Sequence, residues 1–312
     1  MALQALPALS MRDRRNDPGG FARAMGESYA RFGFAIVADH GLDGGAIARA
    51  SEATKAFFAL PDEVKRRYRV AGGAGQRGYV PFGVEAAKDA DKVDLKEFWH
   101  VGRELPDNHR YRQYMPPNVW PREIPGFRDD VYALHQQLDA MGGELLGSIA
   151  LFLGLAETYF VNPTRDGNSV LRLLHYPPMA PNPSGVRAAA HEDINVITLL
   201  LGAEEAGLQL KTREGRWLDV NPPQGALVVN IGDMLQRLTN HVLPSTTHRV
   251  VNPAPERAHL SRYSIPFFLH FAPDFLIETL PGCVTTQNAN RYPTPITAQA
   301  FLQERLREIR LA

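Results

Sequence analysis

With one cysteine in 312 residues, Cys283, the chain cannot form an intrachain disulfide, a cysteine-rich zinc module or an iron-sulfur cluster. That scarcity suits a reducing compartment, and a cytoplasmic location is expected. Apolar runs of 18 or more residues are also missing, which argues against a membrane-spanning helix. Neither sign of charge dominates: Lys+Arg and Asp+Glu both number 34. An electrostatic case for nucleic acid or an anionic membrane is therefore lacking, and a small molecule is the expected partner. Residues Met1 to Ser10 are apolar without a basic start or a full hydrophobic region, so no signal peptide is expected there. They read as a first strand, Leu3 to Leu9. Internal repeats and low-complexity tracts are absent from the sequence.

What remains is an ordinary globular composition, 44% hydrophobic and 22% charged, long enough to bury a substantial core in one large domain with a helical elaboration. Helical spacing of apolar residues marks 21–31 and 45–58, with a short strand at 34–37 between them. Residues 70–93, rich in glycine and then in charge, read as an irregular segment. After a proline-rich bridge, 127–155 forms a long helix. From Ser169 onward short β-prone runs alternate with turns, at 170–176, 188–201, 208–211, 217–220, 226–231, 246–251 and 261–271. Such spacing suggests a double-sheet barrel. A closing helix follows between Pro293 and Leu311, capped by Thr297 or Thr294, with Phe301, Leu302, Leu306 and Ile309 on one face. The chain divides on this reading into 1–125, 126–168, 169–275 and 276–312: an N-terminal region, a scaffold helix with its linker, a β core and a C-terminal extension.

Chemistry concentrates in the β core. His191 and Asp193 are two residues apart in a β-prone run, so they project to one side while Glu192 points away. A third ligand must come from a neighbouring strand, and His248, in the run Ser245 to Val251, suits that. His241 falls in a turn-prone sequence and ranks below it. Two imidazoles and one carboxylate can occupy one face of an octahedral iron and leave the other face open for dioxygen. By itself a His-x-Asp pair is close to a chance event in a chain with ten histidines. Arg262-x-Ser264 in the next apolar strand adds weight. Arg and Ser on one face with Phe268 are costly in an apolar core unless an anion satisfies them, and the guanidinium fork suits a carboxylate. The bland alternative is that this face is solvated.

The ordered series Leu171 to Pro178, His191-x-Asp193, Asn230-Ile231-Gly232-Asp233, Thr239-Asn240, Ser245-x-x-His248-Arg249-Val250 and Arg262-Tyr263-Ser264 resembles the isopenicillin N synthase-like branch of the 2-oxoglutarate/Fe(II)-dependent oxygenases. Weaker similarity lies at Gly33-Phe34, His40-Gly41, Gly78-Tyr79 and Asp94-x-Lys96-Glu97. The resemblance implies a mainly β fold with flanking helices: a double-stranded β-helix, or jelly roll, with a helical N-terminal half and a C-terminal helix. It implies that His191, Asp193 and His248 bind Fe(II), that Arg262, Ser264 and Tyr176 hold the co-substrate 2-oxoglutarate, and that dioxygen is consumed. Hydroxylation, desaturation or ring closure of a small molecule, with release of succinate and CO2, would follow. Leu174 stands where plant relatives have an amide, and His241 where many have glycine. Other readings are an oxidase using the same iron without 2-oxoglutarate, a zinc metallohydrolase, and a non-catalytic binding protein. An anion clamp at Arg262 tells against the hydrolase.

Several further residues carry a double reading. Asn230 and Asp233 flank Gly232 and are expected to stabilise a turn. Arg249 points opposite to His248. Phe98 and Trp99 either line a substrate mouth or pack in the core. Phe268, on the Arg262 face, is the candidate substrate contact.

Overall fold

The structure, a computed structural model, describes residues 6–73, 75–85, 93–180, 183–201 and 206–308. Its helices in chain order are α1 (Met11–Asn16), α2 (Pro18–Phe32), α3 (Gly44–Phe58), α4 (Asp62–Arg66), α5 (Phe127–Phe152), α6 (Val161–Thr164), α7 (Asp233–Leu238) and α8 (Ala298–Glu308). Its strands are β1 (Ala8–Ser10), β2 (Phe34–Ala38), β3 (Gly78–Val80), β4 (Glu97–Gly102), β5 (Val170–Tyr176), β6 (Ala188–His191) and β7 (Ile197–Leu201). They continue with β8 (Leu208–Lys211), β9 (Trp217–Asp219), β10 (Leu227–Ile231), β11 (His248–Val250), β12 (Arg262–Leu269), β13 (Leu276–Ile277) and β14 (Ile296–Thr297).

Two sheets make the β core. The larger has eight strands in the order β1-β2-β10-β7-β12-β5-β4-β3, and the smaller has four in the order β6-β11-β8-β9. Because side chains alternate across a strand, each strand of the large sheet feeds two different environments. Ala35, Val37, Leu171, Leu173, Leu199, Val229 and Phe267 join the main core under the helices. Their alternates Phe34, Ile36 and Val228 pack with Ala188, Leu208, Leu210 and Val250 of the small sheet. The large sheet is thus sandwiched between a helical layer and the small sheet, and the fold is a double-stranded β-helix with flanking helices.

The helical layer rests on α5. Val131, Leu134, His135, Leu138, Met141, Leu145, Leu146 and Ile149 recur every three or four residues and are all buried, which presents one continuous face to the sheet and to α2 and α3. Helix α2 starts where Asp17 accepts from the Gly20 amide at 2.9 Å, with Pro18 in the first turn. It stops at Gly33, whose φ of 68° allows its amide to close on the Tyr29 carbonyl and turns the chain into β2. At the other end of the chain, Thr297 accepts from the Ala300 amide, and Phe301, Leu302 and Leu306 are buried as their spacing requires. Ile309 lies outside the described residues, as do residues 3–5 of the expected first strand, whose described part pairs as Ala8–Ser10. No helix among the described residues is long and apolar enough to cross a membrane.

Three expectations need correction. The run 188–201 is not one strand but two, β6 and β7, on different sheets, and residues 192–196 carry the chain across. Glu192, Asp193 and Asn195 in that crossing segment are residue types that strands disfavour, and the apolar run that follows them masks this local sign of the break. The segment 70–93 contains β3, which pairs with β4 through Gly78↔His100 and Val80↔Phe98; residues 74 and 86–92 of that segment lie outside the described residues. Finally, Asp233 opens helix α7 rather than closing a simple turn. Gly232 is required just before it, since a Cβ there would lie 2.1 Å from the Asn195 carbonyl oxygen.

Candidate metal centre

His191 ends β6, and its register partner across the antiparallel pair is His248, the first residue of β11. The two rings meet with centroids 4.4 Å apart. Asp193 arrives from the crossing segment, where its carbonyl accepts from the Asp233 amide at 2.7 Å. Its Oδ1 lies 3.9 Å from His191 Nε2 and 3.8 Å from His248 Nε2. One ligand atom from each of the three residues falls within 4.8 Å of the others, a group that could hold a metal ion.

Hydrogen bonds fix which atoms are offered. The Nδ1 of His191 lies 2.7 Å from the Ala189 carbonyl oxygen, and that of His248 lies 3.1 Å from the Thr246 carbonyl oxygen. A carbonyl can only accept, so both Nδ1 atoms carry the proton and both Nε2 atoms present a lone pair. The Asp193 carboxylate is divided in the same way. Its Oδ2 accepts from Thr198 Oγ1 at 2.6 Å and from Asn230 Nδ2 at 2.8 Å, which leaves Oδ1 turned to the imidazoles. Burial would raise this carboxyl, but the two imidazoles and those two donors outweigh it and hold it below its ordinary value. Burial, and then the neighbouring His248, push His191 down to about 4. Two neutral nitrogens and one carboxylate oxygen are a donor set that fits a divalent transition ion.

Asn230 is therefore more than the turn residue expected of it: it anchors Asp193 from 37 positions away in sequence. Thr198 was not singled out by the sequence at all. The available signal was a polar residue at an inward position of each strand, Asn230 among the valines of β10 and Thr198 at the head of β7. Glu192 points away, bonded to the Thr247 hydroxyl. His241 sits in a left-handed turn with φ 65° and contacts the Tyr292 hydroxyl at 2.6 Å, away from the three ligands. Arg249 lies over the Trp217 ring at 3.9 Å.

The wall facing these ligands can be read row by row. Asn230, Thr198 and Phe268 are register partners across β10, β7 and β12, so Phe268 flanks a residue that holds Asp193. Four and six positions back along the same face of β12 stand Ser264 and Arg262, opposite Leu174 and Tyr176 of β5. All are buried except Phe268, which is half-buried. The Arg262 guanidinium lies 5.1 Å from the Tyr176 ring centroid. Of the aromatic pair in β4, Trp99 packs in the helical core and Phe98 joins Val80, Leu174 and Tyr176 on the wall.

Comparison with known proteins agrees with this geometry. Residues 167–271 match the 2OG-Fe(II) oxygenase superfamily, and residues 6–123 match the N-terminal region described as that of a non-haem dioxygenase in morphine synthesis. The 2-oxoglutarate-Fe(II) type oxidoreductase hxnY of Emericella nidulans is 34% identical over 290 residues, covering 89% of this chain and 81% of that protein. A 2OG-Fe(II) oxygenase family protein from Caulobacter crescentus superposes with a TM-score of 0.92 at 57% identity, over 98% of this chain and all of the other. A full-length Neurospora crassa protein, solved with alpha-KG and thymine, gives 0.85 at 29% identity, over 97% of this chain and 96% of that one. On fold, donor set and ancestry alike, the chain belongs to the 2-oxoglutarate/Fe(II)-dependent oxygenase family and is an oxidoreductase whose metal is iron and whose co-substrate is 2-oxoglutarate.

Proposed function

We propose that His191 Nε2, Asp193 Oδ1 and His248 Nε2 bind the iron, that Arg262, Ser264 and Tyr176 hold 2-oxoglutarate, and that the enzyme oxidises a small organic molecule by hydroxylation, desaturation or ring closure. Convergence of those three donor atoms within 4.8 Å, each oriented by its own hydrogen bond, is the observation that carries the reading. Ferrous iron and 2-oxoglutarate supply the oxidising power there, using dioxygen and releasing succinate and CO2. The protein's part is positional. Each Nδ1 keeps its proton and donates it to a backbone carbonyl, Thr198 and Asn230 keep Asp193 ionised and aimed, and the buried Arg262 and Ser264 offer N–H and O–H donors to the distal carboxylate of the co-substrate.

The ligands of structural relatives support a small-molecule substrate: thymine in the Neurospora crassa protein, and JA in JOX2, which was solved with 2OG and Fe. A cytoplasmic location belongs to the same reading, because ferrous iron persists in reducing surroundings. Anaerobic titration of the enzyme with Fe(II) and then 2-oxoglutarate should develop the weak visible charge-transfer band of the chelated metal. Arg262→Ala should keep iron binding while raising the 2-oxoglutarate concentration needed. An unchanged 2-oxoglutarate requirement in that variant would remove Arg262 from the clamp.

A further inference from the structure

The metal-facing wall carries a second, buried group of charges that the iron and co-substrate do not use. Arg172 of β5 pairs in register with His100 of β4 and shares the inward face with Leu174 and Tyr176. Its Nη1 and Nη2 donate to Glu85 at 3.3 and 3.2 Å, and its Nε donates to His100 Nε2 at 2.6 Å. Lys96 binds Glu85 at 2.7 Å and Asp94 at 2.8 Å. Asp94 in turn accepts from the Ala189 amide in β6, two residues before a proposed iron ligand.

The charge in this cluster is balanced. Arg172 and Lys96 stand against Glu85 and Asp94. His100 is neutral, because its Nε2 accepts from Arg172, which can only donate, while its Nδ1 donates to the Gly75 carbonyl at 2.6 Å. Three of the five guanidinium N–H groups are used and two remain. The guanidinium plane also meets aromatic rings, with Cζ 4.1 Å from the Phe98 centroid and 5.1 Å from that of Phe268. Its side chain keeps 15% of its exposure while Glu85 behind it keeps 9%, so the accessible part of the cluster is the arginine.

We propose that Arg172, backed by Glu85 and His100 and flanked by Phe268, recognises the primary substrate, and that this substrate is a flat, uncharged ring bearing a carbonyl, of the lactam or imide kind. This rests on the iron and 2-oxoglutarate reading above. A carbonyl oxygen takes up one of the remaining N–H groups without upsetting the charge balance, and a flat ring lies against Phe268. A carboxylate in the same place would leave a net negative charge in a buried cluster, and an ammonium would face the guanidinium. Phe268 stands beside Thr198, the anchor of Asp193, so a ring held there presents its edge toward the iron ligands.

The test begins with the iron- and 2-oxoglutarate-loaded enzyme under anaerobic conditions. The charge-transfer band must form before any probe is added, and its absence would overturn the iron reading together with this one. Uracil, thymine and 2-pyridone are then compared with orotate, which is uracil with an added carboxylate. At least one neutral lactam should perturb the band and, with oxygen admitted, raise succinate release about tenfold over the uncoupled rate, while orotate does neither. Arg172→Lys keeps the charge balance but loses the planar fork. It should raise the KM for that lactam about tenfold with kcat changed far less, and leave the band formed by 2-oxoglutarate alone unaltered. Phe268→Leu, which leaves the ion cluster intact, should also raise KM. Silence from every lactam, an equal response to orotate, or an unaltered KM in Arg172→Lys would overturn the assignment. A purely structural Arg172 would instead lower the melting temperature without separating lactam from carboxylate.

Discussion

The two faces of the large sheet are built from the same strands and behave as different materials. On the helix side, Trp99, Val101, Leu171, Leu173, Ile265 and Phe267 pack with α3 and α5 in one apolar core. It is interrupted by one charged knot, where Glu97 accepts from Lys65 at 2.9 Å, from His175 at 2.7 Å and from the Tyr79 hydroxyl. On the metal side the alternate residues are Lys96, Phe98, His100, Arg172, Ser264 and Arg262. Both faces bury charge, so burial of charge alone does not mark a functional site. The difference lies in what each cluster faces: Glu97 is enclosed by side chains that consume its lone pairs, whereas the metal-side groups border the ligands of the proposed iron. Burial would raise the Glu97 carboxyl, and its three donors bring it below its ordinary value, a structural role completed without any ligand.

Removing a charge from each face should separate these roles most sharply. Asp193→Ala takes one of three donors from the metal site, so iron binding and succinate formation should both vanish while the folded state persists. Glu97→Gln should do the reverse, costing about 3–5 kcal/mol of stability, as for a broken buried ion pair, with turnover of the remaining folded enzyme retained. Equilibrium urea unfolding and iron-binding titration on both variants check this, and loss of iron by the Glu97 variant would break the distinction.

A second contrast uses neighbours. Phe267 and Phe268 are consecutive, but Phe267 is fully buried against α5 and Phe268 is half-buried on the metal side. Phe267→Ala should destabilise by about 3–5 kcal/mol through the cavity it leaves. Phe268→Ala should cost less stability and more substrate coupling, seen as succinate released without product. Equal stability losses would mean that the two positions are not on opposite faces in solution.

Alternation is also why much of the site was legible from sequence. In β12 the pattern Arg262-x-Ser264-x-Pro266-x-Phe268 sorts itself by parity, and the structure puts those residues on one face as that periodicity requires. The pairing of His191 with a histidine from another strand followed from the lack of further ligands nearby. The break between β6 and β7 left only a short sign, the strand-disfavouring Glu192, Asp193 and Asn195, which the apolar run to Leu201 outweighs, and the change of sheet itself is imposed by tertiary packing. Asn230 illustrates the same limit. Its neighbours Gly232 and Asp233 are turn formers, and only the folded chain brings Asp193 to its amide. Arg172 did leave a signal, a lone charge within the apolar run Val170 to Leu174, which a buried strand does not accept unless it is paired.

Asn230 itself offers a finer test of the metal side. Its amide and the Thr198 hydroxyl both bind Asp193 Oδ2, and neither touches the proposed iron. Asn230→Ala should lower iron affinity about 10–100-fold, the usual effect of losing an outer hydrogen bond to a ligand, with global stability altered less than in Phe267→Ala. Competition with a metal-binding dye would measure it. Affinity within a factor of about two of the parent enzyme would mean that Thr198 alone orients the carboxylate.

The smallest effect concerns the helix side and acid. His135 of α5 is fully buried, stacked on Tyr132 and edge-on to Phe267, and burial first, then the charge of Arg103, push its imidazole down to about 3. In the unfolded chain an imidazole titrates near its ordinary value of about 6.5. Between those two values the unfolded state binds a proton that the folded state refuses, so stability rises with pH across this window and is lost as pH falls from about 6.5 toward 3. Each pH unit inside it is worth about 1.4 kcal/mol per such group. His135→Phe keeps an aromatic ring for Tyr132 and Phe267 and has nothing to protonate. Its unfolding free energy, followed by urea titration from pH 7 down to pH 4.5, should fall less steeply than that of the parent by one proton. Because α5 lies on the far side of the sheet from the proposed iron ligands, the same difference in slope should persist when Fe(II) and 2-oxoglutarate are bound. If the two slopes coincide, His135 already carries its proton in the folded enzyme, and the helix face holds an unpaired buried charge that its apolar composition does not suggest.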